Sequence, residues 1–294
     1  MKIIENNRVF AFDAKNECVA EVMDGETVIF RTHDCFDNQL SEEGSCIGAL
    51  NWDRINPATG PVYVQNAKAG DVLKVEILEI ALDKQGVMCA LPENGVLGSL
   101  VKEESVKRIK VEEGKVHFND KLVFDVTPMI GVIGVAPKDG SINCGTPGCH
   151  GGNMDNKRIK VGASLYFPVF HEGAIFSLGD VHAAMGDGEV MVSGVEISAE
   201  VKVRLSVIKG ISIETPMLEN EELCGVIYSH KEIEKAVFRA VRIMNERVQE
   251  NLGLSLNEAG MLLSAVGDLR FCQVVDPERT VMMCIPKKIM KSLF

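Results

Sequence analysis

Asp155, Asp180, His182, Asp187 and Glu189 gather in two glycine-rich stretches, Asn143-Cys-Gly-Thr-Pro-Gly-Cys-His-Gly-Gly-Asn-Met-Asp155 and Gly179-Asp-Val-His-Ala-Ala-Met-Gly-Asp-Gly-Glu189. Imidazole and carboxylate side chains hold zinc and similar divalent ions. The glycines between them permit backbone conformations closed to other residues and let the chain approach a ligand closely. A third segment, Thr32-His33-Asp34-Cys35-Phe36, ends an apolar, strand-like run far upstream. Three separated segments with metal-ligand chemistry point to one composite site. Asp180 and His182 are two residues apart, so an extended chain presents both on one face; they are candidate ligands, with Asp155 beside them. His33 and Asp34 are adjacent and face opposite ways on a strand. His33 is therefore the candidate ligand and Asp34 a supporting residue or turn cap. Gly151 and Gly152 offer unobstructed backbone N–H groups, suited to holding an oxyanion. Glu189 enters Val190-Met-Val-Ser193, read as a strand, where a carboxylate can pass a proton from water to a leaving nitrogen. The plainer readings are a surface aspartate, a satisfied loop histidine, a mobile glycine turn and a wet strand glutamate.

These stretches, together with His33-Asp-Cys-Phe-Asp-Asn-Gln39, Gly48-Ala-Leu-Asn-Trp-Asp53 and Asn56-Pro-Ala-Thr-Gly-Pro61, resemble the acetamidase/formamidase family. The resemblance covers residues 1–215 strongly and the remainder loosely. It implies a largely β fold and hydrolysis of short aliphatic amides, acetamide or formamide in type, to a carboxylate and ammonia. It also implies dependence on a divalent metal, with zinc the first candidate and calcium the second. Trp52 and Asp53 match the family and are expected to line the substrate pocket. Met185 stands where many relatives carry Gln, which places an apolar residue beside the site and bears on the substrate more than on the chemistry. Two other readings share these residues: a metal-dependent hydrolase of another C–N bond, and a non-catalytic β-sandwich that binds a metal or small ligand.

Other amide chemistries lack their residues. Cys144 and Cys149 with His150 resemble half a zinc knuckle, but structural thiolate zinc needs four ligands and no second knuckle exists. A cysteine nucleophile needs a neighbouring base that cannot be placed here. The Ser-Ser-Lys set of signature amidases and the Gly-x-Ser-x-Gly nucleophile elbow are absent. His117, His150, His171 and His230 receive no role.

Composition bounds the remaining classes. With 294 residues, 46% hydrophobic and 25% charged, the chain can bury a sizeable core. Its net charge of −11 argues against nucleic acid and anionic membrane surfaces as partners. No apolar run reaches the ~18 residues of a membrane span. The N-terminus lacks the apolar core of a signal peptide, so a cytoplasmic protein is expected. The nine cysteines, an odd number, are read as reduced and mostly buried. The expected partners are a small amide and a second copy of the chain, a dimer being the simplest case.

The elements that must position the site are mainly strands. Val72–Ile80 and Ala199–Val207 alternate apolar with charged residues, the period of a strand with one wet face. Val111–Phe118 reads as a hairpin turning at Gly114, and Ala174–Leu178 as a buried strand leading to Asp180. Residues 1–215 thus form a β-sandwich or barrel-like catalytic body. Residues 216–294 form an α+β appendage that packs on the body or on a partner subunit. Within it, Ser229–Glu232 reads as a capping box opening a helix through Val248 to Gly253, and Ser255–Glu258 as a second box opening a helix to Gly267. Two short strands then turn at Asp276-Pro277.

Overall fold

The computed structural model describes residues 1–294. The chain is mainly β, with α1 (Ile233–Leu252) and α2 (Leu256–Val266) near its C-terminus. Eighteen strands join in one sheet and two more, Ala11–Asp13 and Ser141–Asn143, pair separately. Most neighbours are antiparallel; Lys2–Ile4 on Thr27–Thr32 and Ala20–Val22 on Ala58–Val64 are parallel.

The longest ladder joins Val72–Ala90 to Glu196–Ile208, with two register shifts. Its burial follows the sequence period. Val72, Val75, Ile77, Val201, Val203 and Leu205 are buried, while Glu200 and Arg204 on the alternate face are exposed. The hairpin at Gly114 is present, Ser105–Glu112 pairing with Lys115–His117. Phe30, Phe167, Phe176 and Leu178 lie in the main core, where Phe30 and Phe176 meet edge to face at 5.7 Å. Burial of each such side chain contributes roughly 1.5–3 kcal/mol.

The change of pattern near residue 216 does not interrupt the sheet. Met217–Glu219 pairs with Ser164–Pro168 on one side and with Leu223–His230 on the other. Leu223–His230 in turn carries Arg279–Pro286 and, beyond it, Asp268–Gln273. Ala236, Ala240, Ile243, Met244 and Val248 of α1 face this extension and form a second core with Val226, Val281 and Met283. The apolar stripe of α1 therefore packs on the chain's own sheet, while Phe238, Leu256 and Met261 remain exposed. No helix is long and apolar enough to cross a membrane.

Three local expectations need correction. Ser229 caps no helix; it lies on the Leu223–His230 strand and shares a 2.9 Å hydrogen bond with Thr280 Oγ1. Pairing with Arg279–Pro286 holds this segment extended through His230, and α1 starts after Glu232 without a side-chain cap. The strand expected from Ala174 begins at Phe176, because Ala174 and Ile175 both take positive φ. Val190–Ser193 is no strand: Val192 N–H donates to Glu189 O at 2.8 Å and closes a turn.

The second capping box is present in full. Ser255 Oγ accepts from Glu258 N–H, and Glu258 Oε2 accepts from Ser255 N–H at 3.0 Å. Ser255→Ala should lower the unfolding free energy by about 1 kcal/mol, read as a lower denaturant midpoint at unchanged slope. An unshifted midpoint would show that the box adds nothing to the folded state.

Candidate metal centre

His182 ends the Phe176–His182 strand, and the ladder register sets it opposite Glu196, the first residue of Glu196–Ile208. Asp180 precedes it on the same strand. Asp180 takes φ 52°, so the chain is not extended there as the i, i+2 reading assumes. The two side chains nevertheless converge. Asp155 follows the Gly151–Asn153 strand at φ 39°, with Met154 N–H tied to Gly131 O. The result is one imidazole nitrogen facing three carboxylates. His182 Nε2 lies 3.0 Å from Glu196 Oε2, 3.3 Å from Asp180 Oδ1 and 3.7 Å from Asp155 Oδ1. Only the Asp180 oxygen stands in hydrogen-bond geometry.

Two glycines make this convergence sterically feasible. A Cβ on Gly131 would sit 2.4 Å from Asp155 Oδ1 and 2.7 Å from Asp180 Oδ2, and a Cβ on Gly194 would sit 2.5 Å from His182 Nδ1. Gly194 also donates its N–H to Glu189 Oε1 at 3.0 Å and Glu196 Oε1 at 2.8 Å, so one donor holds both glutamates. Asp276, on the turn between the last two strands, accepts from Asn153 Nδ2 at 3.0 Å. That turn is anchored by Gln273 Oε1, which accepts from Val275 and Asp276 N–H. Gly188 N–H and Val274 N–H then lace the Glu189 loop to the same turn.

Asp155, Asp180, Glu189 and Glu196 thus gather about one buried imidazole, Asp276 stands beside Asp155, and no Lys or Arg lines the adjoining cavity. Burial raises the pKa of Asp155 well above its ordinary value, and Glu189 and Asp180 add to that. Burial raises Glu189 likewise, against the pull of His182. Glu196 is pushed up to about 7 by burial, with His182 lowering and Asp180 raising it. Asp276 is raised by burial, Asp155 and Asp180. Burial disfavours charge on His182, but Glu196 and Asp180 outweigh it and raise its pKa well above ordinary. Neither oxygen of Asp155, nor Glu196 Oε2, accepts a hydrogen bond. Buried acceptors without donors are costly, and a divalent cation is the partner that this donor set fits.

The other expected site residues lie elsewhere. His33 has both ring nitrogens engaged, Nδ1 with Asp37 Oδ1 at 2.7 Å and Nε2 with the Arg8 guanidinium at 3.3 Å, which leaves no lone pair for an ion. Arg54 also binds Asp37, so His33 belongs to an ion-pair network centred on the buried Asp37 carboxylate. Asp34 closes a turn, its Oδ1 accepting from Phe36 and Asn38 N–H, and burial pushes its pKa to about 6. Asp187 is held by Arg158 through two hydrogen bonds, which fixes the Glu189 loop from outside the site. Gly151 donates its N–H to Gly148 O and is not free for an oxyanion. Gly152 stands in register with Ile133 on the neighbouring strand.

Asp180, Glu189, Glu196 and Asp276 open into a cavity of about 120 Å³, with Trp52, 56% exposed, at its edge. Asp53 is exposed and does not line it. Met185 lines a different, apolar cavity of about 580 Å³ with Met88, Phe118 and Phe124. Sequence reasoning missed Glu196, Cys35, Asn153 and Asp276, all of which line the smaller cavity. Asp276 sits at the Asp-Pro turn, where a turn role hid it. Glu196 follows Gly194 at short range, the one local hint that the second motif runs past Glu189.

Comparison with known proteins identifies the family to which this fold belongs. The sequence pattern of the Acetamidase/Formamidase family matches residues 7–144 and 141–292. A predicted acetamidase/formamidase from the thermophile Thermoanaerobacter tengcongensis is 44% identical at a TM-score of 0.97, over 99% of this chain and 97% of that one. An acetamidase from Bacillus halodurans is 40% identical at a TM-score of 0.97, over 100% and 99% of the two chains. The formamidase of Methylophilus methylotrophus is 22% identical over 250 residues, 65% of this chain. The chain spans less than two thirds of the curated relatives it matches, 61% of that formamidase and 64% of a Schizosaccharomyces pombe protein. On sequence and fold together, the chain belongs to the acetamidase/formamidase family.

Proposed function

We propose that this chain is a divalent-metal-dependent hydrolase of small linear carboxamides, acetamide or formamide in type, releasing a carboxylate and ammonia. The observation that carries this reading is the crowding at His182 Nε2, with carboxylate oxygens at 3.0, 3.3 and 3.7 Å. One N–H cannot donate to three oxygens. Ligand atoms about 2.0–2.2 Å from a shared ion at a tetrahedral angle lie roughly 3.3–3.6 Å apart, a range that the observed 3.0, 3.3 and 3.7 Å bracket. Asp155, Asp180, His182 and Glu196 would hold the ion.

A cation there supplies Lewis acidity, which polarises a carbonyl and makes water a nucleophile at neutral pH. The remaining steps fall to the chain's own groups. Glu189, steadied at Oε1 by Gly194 N–H, accepts the proton of the attacking water and passes it to the departing nitrogen. Asn153 gives its Nδ2 to Asp276, which leaves Oδ1 buried and without a partner at the cavity wall. That oxygen is an acceptor for a substrate amide N–H, a feature that distinguishes an amide from a carboxylate. The cavity of about 120 Å³ equals only a few waters at ~30 Å³ each, which favours a substrate of few heavy atoms.

Dialysis against a strong chelator should abolish ammonia release from acetamide and formamide, and a divalent ion should restore it. Full turnover by protein shown metal-free by elemental analysis would overturn the reading. Amide turnover also separates an enzyme from a binding protein with the same ligands.

Asp180→Ala and His182→Ala should each lose bound metal while keeping the far-ultraviolet circular dichroism of the sheet. His33→Ala should keep its metal, because the ring is committed to Asp37 and Arg8. Stoichiometric metal in both the Asp180 and His182 variants would remove those residues from the ligand set.

Glu189→Gln keeps the shape of the side chain and removes its basicity. Metal content should persist while kcat falls on the order of 10²–10⁴-fold, the usual contribution of a positioned acid/base. KM should move less, since a proton shuttle acts mainly in the transition state. Near-normal turnover would exclude the role, and loss of metal would make Glu189 a ligand instead.

A further inference from the structure

Cys35, Asp180 and Glu196 are buried, and their ligand atoms all lie within 4.8 Å of one another. This group shares no residue with Asp155, His182 and Glu189, which meet the same spacing. Cys35 sits on the turn after the Thr27–Thr32 strand, where its carbonyl is tied to Asn56 N–H at 2.7 Å. The backbone thus fixes the position from which the thiol meets two carboxylates. As an apolar filler packed with Phe36 and Leu40, Cys35 would gain nothing from that contact.

We propose that the centre holds two divalent cations, with Cys35 supplying a thiolate to the second and Asp180 and Glu196 shared between both. This rests on the metal-dependent reading above and extends it. Charge supports the number. Asp155, Asp180, Glu189, Glu196 and Asp276 converge with His182 as the one basic side chain beside them and no Lys or Arg lining the cavity. The nearby guanidinium groups are committed elsewhere, Arg158 to Asp187, and Arg8 and Arg54 to Asp37. With those five carboxyls ionised and Cys35 as the thiolate, one dication would offset two of six negative charges and two would offset four. The unpartnered acceptors are Asp155 Oδ1 and Oδ2 and Glu196 Oε2; the last faces His182 Nε2 at 3.0 Å and belongs to a side chain that also joins the Cys35 group. Carboxylates shared by two ions are the usual way to hold a pair about 3.5–4 Å apart. A thiolate also selects among metals. Calcium takes oxygen ligands, while zinc and cobalt accept sulfur, nitrogen and oxygen together.

Metal-free protein reconstituted with excess Co²⁺ and then desalted tests the proposal without relying on activity. The expected result is two cobalt ions per chain and a near-ultraviolet sulfur-to-cobalt charge-transfer band. Cys35→Ser should lose that band and fall towards one ion per chain, while the visible cobalt bands of the first position remain. Cys89→Ser, whose thiol also lines the cavity but joins neither ligand group, should keep both ions and the band. The wild-type spectrum decides the matter even if Cys35→Ser fails to fold. One ion per chain with no thiolate band would overturn the second position and leave metal dependence standing. Retention of the band in Cys35→Ser would overturn the role of Cys35. No bound cobalt at all would bring down the metal-dependent reading itself.

Discussion

An imidazole and several carboxyl groups sharing one dry space set the terms for the rest of this structure. Charges removed from water cost several kcal/mol each unless they find partners, and no lysine or arginine enters the cavity to supply them. The fold can tolerate the cluster by keeping protons on it, the direction in which burial drives Asp155, Glu189 and Asp276. It can also tolerate the cluster by holding cations there. The second option, which the proposed function adopts, would account for the acceptors left without donors, since a structural cluster would be expected to acquire them.

The scaffold is arranged around that cost. Ladder register places Glu196 across from His182, and the close approach of Asp155 and Asp180 depends on the missing side chain of Gly131. Gly194 serves twice, clearing room for the imidazole and tying two glutamates with a single N–H. The C-terminal hairpin completes the enclosure, because Asp276 reaches the site through Asn153 and the same turn is laced to the Glu189 loop. Residues beyond 215 are therefore part of the site as well as of the sheet.

The two cavities divide the second glycine-rich motif between them. Asp180 and Glu189 face the small cavity, while Met185 turns into the larger apolar one, which Gly194 and Val195 also line. An apolar residue at Met185 therefore leaves the small cavity's lining untouched. The size of the small cavity and the acceptor on Asn153 bear more directly on which amide the chain would accept.

Much was legible from residue types and spacing alone. The alternation in Val72–Ile80 and Ala199–Val207, the box at Ser255–Glu258 and the turns at Gly114 and Asp276 are short-range patterns, and each maps onto the structure. The glycine-rich stretches carrying Asp155, Asp180, His182 and Glu189 were visible for the same reason: ligand chemistry and backbone freedom are properties of single residues and their neighbours. What only the tertiary structure decided were meetings across long sequence separations. The engagement of His33 by Asp37 and Arg8, the arrival of Cys35 and Asp276 at the cavity, and the pairing that keeps Ser229 on a strand depend on ladder register and loop packing. Periodicity shows which face of an element is buried, but carries no information about which distant element covers it.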